Sequence, residues 1–187
     1  GEGPVQRVLR AMMFLRRDAA KKAVQERNKP GVLDIGCGSC RVGEELLDAG
    51  AERYLGIDFS EPMIQLAKER LARFGDKVDL RTGDVLQVPV ESKYDVVIAL
   101  GFFDYIEDPV PFARKMFEGC SDVAIASFPR WDWGKGPLRR LRYQGINECP
   151  IFNYTERELE FLFKAAGFGR VVLDVRRSAI LMHAFVK

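Results

Sequence analysis

The run Val32-Leu-Asp-Ile-Gly-Cys-Gly-Ser-Cys40 carries an apolar strand into an acid and then into two glycines one residue apart. A second acid, Asp58, ends the short run Tyr54 to Ile57. Glycines placed directly after a buried strand remove the Cβ atoms that would hold a ligand away from the backbone amides. An extended, polar cofactor can then lie at the mouth of a parallel sheet. An acid closing the next strand offers two acceptor oxygens, which match two adjacent hydroxyls of a ribose.

Two other chemistries use similar residues. A nicotinamide-binding loop also sets glycines after a strand and an acid at the end of the next. In Gly36-Cys-Gly-Ser-Cys-Arg41, however, Arg41 stands where that loop needs a third glycine for close helix packing. The four cysteines stand at 37, 40, 120 and 149, and Cys37-x-x-Cys40 has neither a second pair nor a Cys/His partner pair, so no metal site is expected. The single histidine, His183, has apolar neighbours in the last strand and reads as a structural imidazole rather than a general base.

The elements that must position these residues follow an α/β rhythm. The chain has 187 residues, 47% hydrophobic and 30% charged, and the reading is one domain over 1–187. No apolar run reaches the length of a membrane span and the N-terminus lacks a signal-peptide centre, so a soluble, cytoplasmic protein is expected. A net charge of +2 is too small to argue for nucleic acid.

Residues 4–28 predict an amphipathic helix with Val5, Val8, Leu9, Met12, Leu15, Ala19 and Ala23 inward. Arg7, Arg10, Arg16, Arg17, Lys21 and Lys22 form a solvated outer face. Strands are predicted at Val32 to Ile35, Tyr54 to Ile57, Lys77 to Arg81, Tyr94 to Leu100 and Asp122 to Ser127. Helices are predicted at Arg41 to Ala49, from Ser60, and around Pro109 to Phe117. Thr155 and Glu158 form a capping box for a helix stopped at Gly167. The last two strands, Phe168 to Val175 and Ala179 to Val186, are separated by only Arg176-Arg177-Ser178. That gap permits an antiparallel hairpin and forbids a crossover.

Over roughly residues 31–187 this order resembles the class I S-adenosylmethionine-dependent methyltransferases. Asp34-x-Gly36-x-Gly38 resembles the family's first motif, Asp58 its ribose-binding acid, and Gly83-Asp84 its adenine-contacting acid. The resemblance implies a doubly wound, Rossmann-like α/β fold whose seven-stranded, mostly parallel sheet ends in an antiparallel edge hairpin. It implies S-adenosylmethionine as cofactor, held by Asp34, Gly36, Cys37, Gly38, Asp58, Phe59, Met63, Asp84, Val85, Leu100 and Gly101. Asp34 is expected near the cofactor ammonium. Phe59 and Met63 would sandwich adenine, and the Val85 amide would serve a ring nitrogen. Cys40 departs from the motif, since many relatives carry a third glycine there.

Leu100-Gly-Phe-Phe-Asp-Tyr105 occupies the place of the family's acceptor-facing residues and lacks the Asn/Asp-Pro-Pro-Tyr grip on an amide or exocyclic base nitrogen. Phe102, Phe103 and Tyr105 favour an apolar or aromatic small molecule, with at least one of them in the core. Any base is expected at Asp104 or Tyr105. The segment 128–153 breaks the rhythm and reads as an insertion or lid after the fifth strand. There Arg130, Trp131, Trp133, Arg139 and Tyr143 can cover a planar, anionic acceptor. The expected function is methyl transfer to a small aromatic or anionic metabolite. RNA methylation and a non-catalytic, methyltransferase-like binding subunit are the alternatives.

Overall fold

Strands that are buried at every position, rather than at every second one, belong to a sheet covered on both faces. The central strands are of this kind, with residues 31–35, 96–99 and 123–128 buried throughout. The computed structural model describes residues 4–129, 152–176 and 179–187. In chain order its elements are α1 (Pro4–Gln25), β1 (Gly31–Ile35), α2 (Arg41–Asp48), β2 (Arg53–Asp58), α3 (Glu61–Leu71), β3 (Val78–Thr82) and β4 (Tyr94–Leu100). They continue with α4 (Val110–Glu118), β5 (Cys120–Pro129), α5 (Glu156–Ala166), β6 (Arg170–Val175) and β7 (Ala179–Phe185).

The sheet has seven strands in the order β3-β2-β1-β4-β5-β7-β6. The first five are mutually parallel, and β7 runs antiparallel to both of its neighbours. All five residues of β1 are buried. On one face, Ala20, Ala23 and Val24 of α1, Leu46 and Leu47 of α2, and Ala67 and Leu71 of α3 pack on Val32, Val96, Ile98 and Ile125. On the other face, Ala113 and Met116 of α4 and Leu159, Leu162 and Phe163 of α5 cover Leu33, Ile35, Val97 and Ala124. The chain order reverses between β1 and β4, and such a reversal opens a crevice at the carboxyl ends of the two strands.

Several boundaries differ from the expected ones. Helix α1 stops at Gln25 rather than at residue 28, because the chain turns through Lys29 (φ 51°) ahead of Pro30. Its core face is Ala20, Ala23 and Val24. Strand β5 continues to Pro129, so the start of the expected insertion is strand and core. Phe128 is fully buried, with its ring centroid 5.0 Å from that of Phe103. Residues 130–151 of the proposed lid, including Arg130, Trp131, Trp133, Arg139 and Tyr143, lie outside the described residues.

Helix α1 runs opposite to the strands that it covers. Near its C-terminal end Arg27 donates to Asp122 at the start of β5 (2.7 Å), whereas Arg16 reaches Gly101, just past the end of β4. The first turns of α1 therefore stand beyond the carboxyl edge of the sheet. Among the described residues no helix is long and apolar enough to cross a membrane.

The capping box at α5 is complete. Thr155 Oγ1 accepts from Glu158 N (3.3 Å), and Glu158 Oε2 accepts from Thr155 N (2.7 Å). Thr155→Ala removes one of these acceptors and is expected to lower stability by about 1 kcal/mol, measured as a shift of the urea midpoint at unchanged slope.

Candidate functional site

The crevice at the β1/β4 switch point is built from four strand ends. The glycine loop leaves β1, with Gly36 at φ 71° and Gly38 at φ 53°. Its amides are directed by β2: Gly36 N and Cys37 N both donate to the Ile57 carbonyl (2.8 and 3.1 Å). Gly38 N donates to Asp58 Oδ2 (2.8 Å), while Asp58 Oδ1 accepts from Ser60 N (2.9 Å). From α3, Arg70 Nε donates to the Ser39 carbonyl (2.9 Å) and bridges to Glu44 on α2 (3.2 Å). The loop is therefore set by its neighbours before any ligand arrives.

The two glycines serve different ends. A Cβ at Gly38 would meet nothing within 4 Å, so this position borders the open crevice. A Cβ at Gly36 would lie 2.6 Å from the ring of Phe102. This corrects the expectation that Gly36 keeps a ligand's path clear: the space beside it is filled by Phe102, and glycine is required by that contact and by the left-handed φ. Cys40, at the place of the third glycine, also adopts a left-handed conformation (φ 53°) and caps α2 without a side-chain bond. The backbone geometry of the motif is retained there at a cost of about 1 to 2 kcal/mol for the side chain.

The two acids differ in environment. Asp58 is partly exposed. Asp34 is 4% exposed and lies beneath the loop, where the Tyr54 hydroxyl donates to its Oδ2 (2.6 Å). Burial pushes the Asp34 carboxyl up to about 7. The Tyr54 bond offsets part of this, and the charge of Asp58 adds to it. Burial, with Asp34 alongside, also holds the Tyr54 phenol well above its ordinary range. The hydrogen-bonded Cys40 thiol, and then burial, hold Cys37 protonated.

On the β2 side Phe59 is 83% exposed and Met63 is 41% exposed, an apolar pair presented to solvent beside Asp58. After β3, Gly83 N donates to the Asp58 carbonyl (2.9 Å), which brings Asp84 to the same rim. The Asp84 carboxylate accepts from Leu86 N (2.9 Å) and Gln87 Nε2 (3.3 Å), so it shapes its own turn while remaining exposed. The Val85 side chain is buried in the core. At the end of β4, Leu100 and Gly101 (φ 78°) floor the crevice, and Gly101 N donates to Ser127 Oγ on β5 (2.9 Å).

Beyond Gly101 the residues Phe103–Tyr105 form a single 3-10 turn. That turn sends Phe103 (0% exposed) and Asp104 (6%) into the core and leaves Tyr105 half exposed. Asp104, one of the two residues expected as a base, is thus a buried carboxyl, and of the two candidates Tyr105 is the exposed one. His183 sits within β7 opposite Ile125 and Val172, and burial lowers its pKa; it belongs to the sheet, away from the crevice.

Three contributors carry no local signal in the sequence. Arg16 belongs to a basic helix face that reads as solvated, yet its Nε is buried and its Nη1 lies 2.9 Å from the Cβ position of Gly101. Tyr54 reads as an ordinary strand aromatic, and Ser127 as a small core residue. All three become visible only when α1, β2 and β5 are laid against β1 and β4.

Comparison with known proteins agrees with this geometry. A family model described as "Methyltransferase domain" matches residues 32–123. The ubiquinone biosynthesis O-methyltransferase of Bordetella parapertussis is 33% identical over 83% of this chain and 56% of its own length. The malonyl-[acyl-carrier protein] O-methyltransferase of Bacillus cytotoxicus is 33% identical over 52% of this chain and 34% of its own. The chain thus spans about half the length, or less, of these curated relatives. In structure, magnesium protoporphyrin IX methyltransferase from Synechocystis PCC 6803 with bound SAH superposes over 100% of this chain and 90% of its own, with a TM-score of 0.78 at 23% identity.

The state of Asp34 has a consequence for stability. Its folded pKa is raised from 3.8 to about 7, so the folded chain holds a proton that the unfolded chain releases. Stability from this group falls as pH rises through that window and levels off above it. Asp34→Asn is therefore expected to be stabilising relative to the parent above pH 7, by up to about 4 kcal/mol, with the difference vanishing near pH 4. Urea denaturation across pH checks this, and a pH-independent difference would contradict it.

Proposed function

The chain belongs to the class I S-adenosylmethionine-dependent methyltransferases, and from that premise we propose that it binds S-adenosylmethionine in the β1/β4 crevice and methylates a small molecule. The observation that carries this reading is Asp58, an acid at the end of β2 that fixes the Gly38 amide and stays partly exposed beside it. Each carboxylate oxygen accepts one amide and retains a lone pair, so two vicinal hydroxyls can be held without releasing the loop.

The other parts distribute along the cofactor. Phe59 and Met63 offer flat and deformable apolar surface to adenine, with Asp84 and the Val85 amide at its polar edge. Gly36, Cys37 and Gly38 run along the ribose and methionyl portions. Arg16 supplies positive charge for the methionyl carboxylate above Gly101, and Asp34 supplies negative charge for the ammonium. Leu100 and Gly101 lie under the sulfonium.

Transfer from a sulfonium is an in-line displacement: the acceptor atom forms a bond to the methyl carbon as the carbon–sulfur bond breaks. The leaving group is a neutral thioether, so alignment and exclusion of water supply most of the acceleration. Removal of a proton from the acceptor is needed only for some acceptor atoms. Of the described residues expected there, Tyr105 is the exposed polar group beside Phe102. The aromatic floor at this edge supports an aromatic acceptor, as do relatives named for ubiquinone biosynthesis and a porphyrin.

Titration calorimetry with S-adenosylhomocysteine tests the cofactor site. Asp58→Ala is expected to weaken binding by about 1.5 to 3 kcal/mol, the loss for a charged hydrogen-bonding partner. Unchanged affinity in a folded Asp58→Ala protein would remove the ribose role. Gly36→Val should also lose affinity, but together with folding stability, because it displaces Phe102.

A further inference from the structure

Tyr54 brings a hydroxyl into an otherwise apolar layer. The residue is 1% exposed and sits among α2, α3 and the α2-facing side of the sheet. A buried hydroxyl is costly unless it is bonded, and phenylalanine would fill the same space without that cost. Three neighbours are adapted to it. Asp34 Oδ2 accepts from it at 2.6 Å, and Cys40 Sγ lies 3.4 Å from its oxygen. Gly43 leaves the room, since a Cβ there would fall 2.5 Å from the hydroxyl. The hydroxyl thus ties β2 to the acid at the root of the glycine loop.

We propose that Tyr54 is a positioning residue for the cofactor site, holding the Asp34 carboxyl beneath the glycine loop so that cofactor binding is coupled to release of a proton from Asp34. The inference rests on the reading that this crevice takes S-adenosylmethionine, which brings a cationic ammonium and a cationic sulfonium.

The charges around Asp34 decide the direction. From β2 it faces Tyr54, a phenol that stays protonated, and the negative Asp58. From the loop it faces Cys37 and Cys40, with Cys37 held as the thiol. Its partner across β4 is Ile98, which does not titrate. Among the described side chains of α1, Arg16 is placed at Gly101, at the end of β4. Buried beside a carboxylate and two thiols, Asp34 favours its neutral form, and only the Tyr54 donor opposes this. A cation arriving at the loop stabilises the carboxylate, and the proton passes to solvent.

The test is calorimetric titration of the intact protein with S-adenosylmethionine between about pH 6 and 8.5, repeated near pH 6.5 in buffers of unlike ionisation enthalpy. The wild type is expected to release a proton and to gain affinity about tenfold per pH unit until a break near pH 7, above which affinity is level. Tyr54→Phe should move that break upward by about one unit, because the bond that favours the ionised form is gone. Asp34→Asn should bind with no break. A flat wild-type profile with buffer-independent heats, or a break in Tyr54→Phe at the wild-type position, overturns the inference. If Tyr54→Phe does not fold, the wild-type buffer comparison alone decides it. Binding without pH dependence removes only this coupling, whereas absence of binding at every pH removes the cofactor reading and this inference with it.

Discussion

Asp58 ties three loops into one rim. One oxygen accepts from the glycine loop and the other from the first turn before α3, while the backbone carbonyl of the same residue accepts from Gly83 after β3. Hydrogen bonds to a carboxylate are worth about 1.5 to 3 kcal/mol each. Moving this one side chain would therefore release Gly38 and the turn that leads to Phe59 and Met63 from their common geometry. The rim is preorganised, so a ligand that binds it need not also meet the cost of ordering the loops.

Asp34 and Asp58 stand on adjacent strands yet are held in opposite ways. Asp58 is partly exposed and bonded to two amides. Asp34, under the loop and bonded to a phenol, is pushed toward neutrality. Separating two like charges by environment avoids the repulsion that two full charges in one crevice would bring. It also leaves one of them responsive to the charge of whatever enters. Cys40 and Gly43 accept unusual local geometry in support of this arrangement, one by its left-handed backbone and the other by its missing side chain.

The acceptor side is organised by packing rather than by polar bonds. Phe102 sits against Gly36, and Phe103 stacks with Phe128 and Phe163 in the core. The short turn through Phe103–Tyr105 leaves Tyr105 at the surface. Helix α1 crosses above, antiparallel to the strands, and delivers Arg16 to the end of β4. The same apolar core that stabilises the sheet therefore sets where the aromatic floor of the crevice ends and its charged wall begins.

Most of the fold could be read from the chain alone. The largely apolar central strands, the glycines after β1, the acid ending β2, the Thr155/Glu158 box and the three-residue gap before β7 each encode their structure within a few residues, because periodicity, capping and turn length are local. The fates of Arg16, Asp104 and Tyr54 could not be read in that way. Arg16 turns inward because α1 lies along β4, Asp104 turns inward because a 3-10 turn rather than a loop follows Gly101, and Tyr54 meets Asp34 because β1 and β2 pair in one register. Sequence determined which groups were available for chemistry. Tertiary packing decided which of them face the crevice, since burial and charge state depend on neighbours far away along the chain.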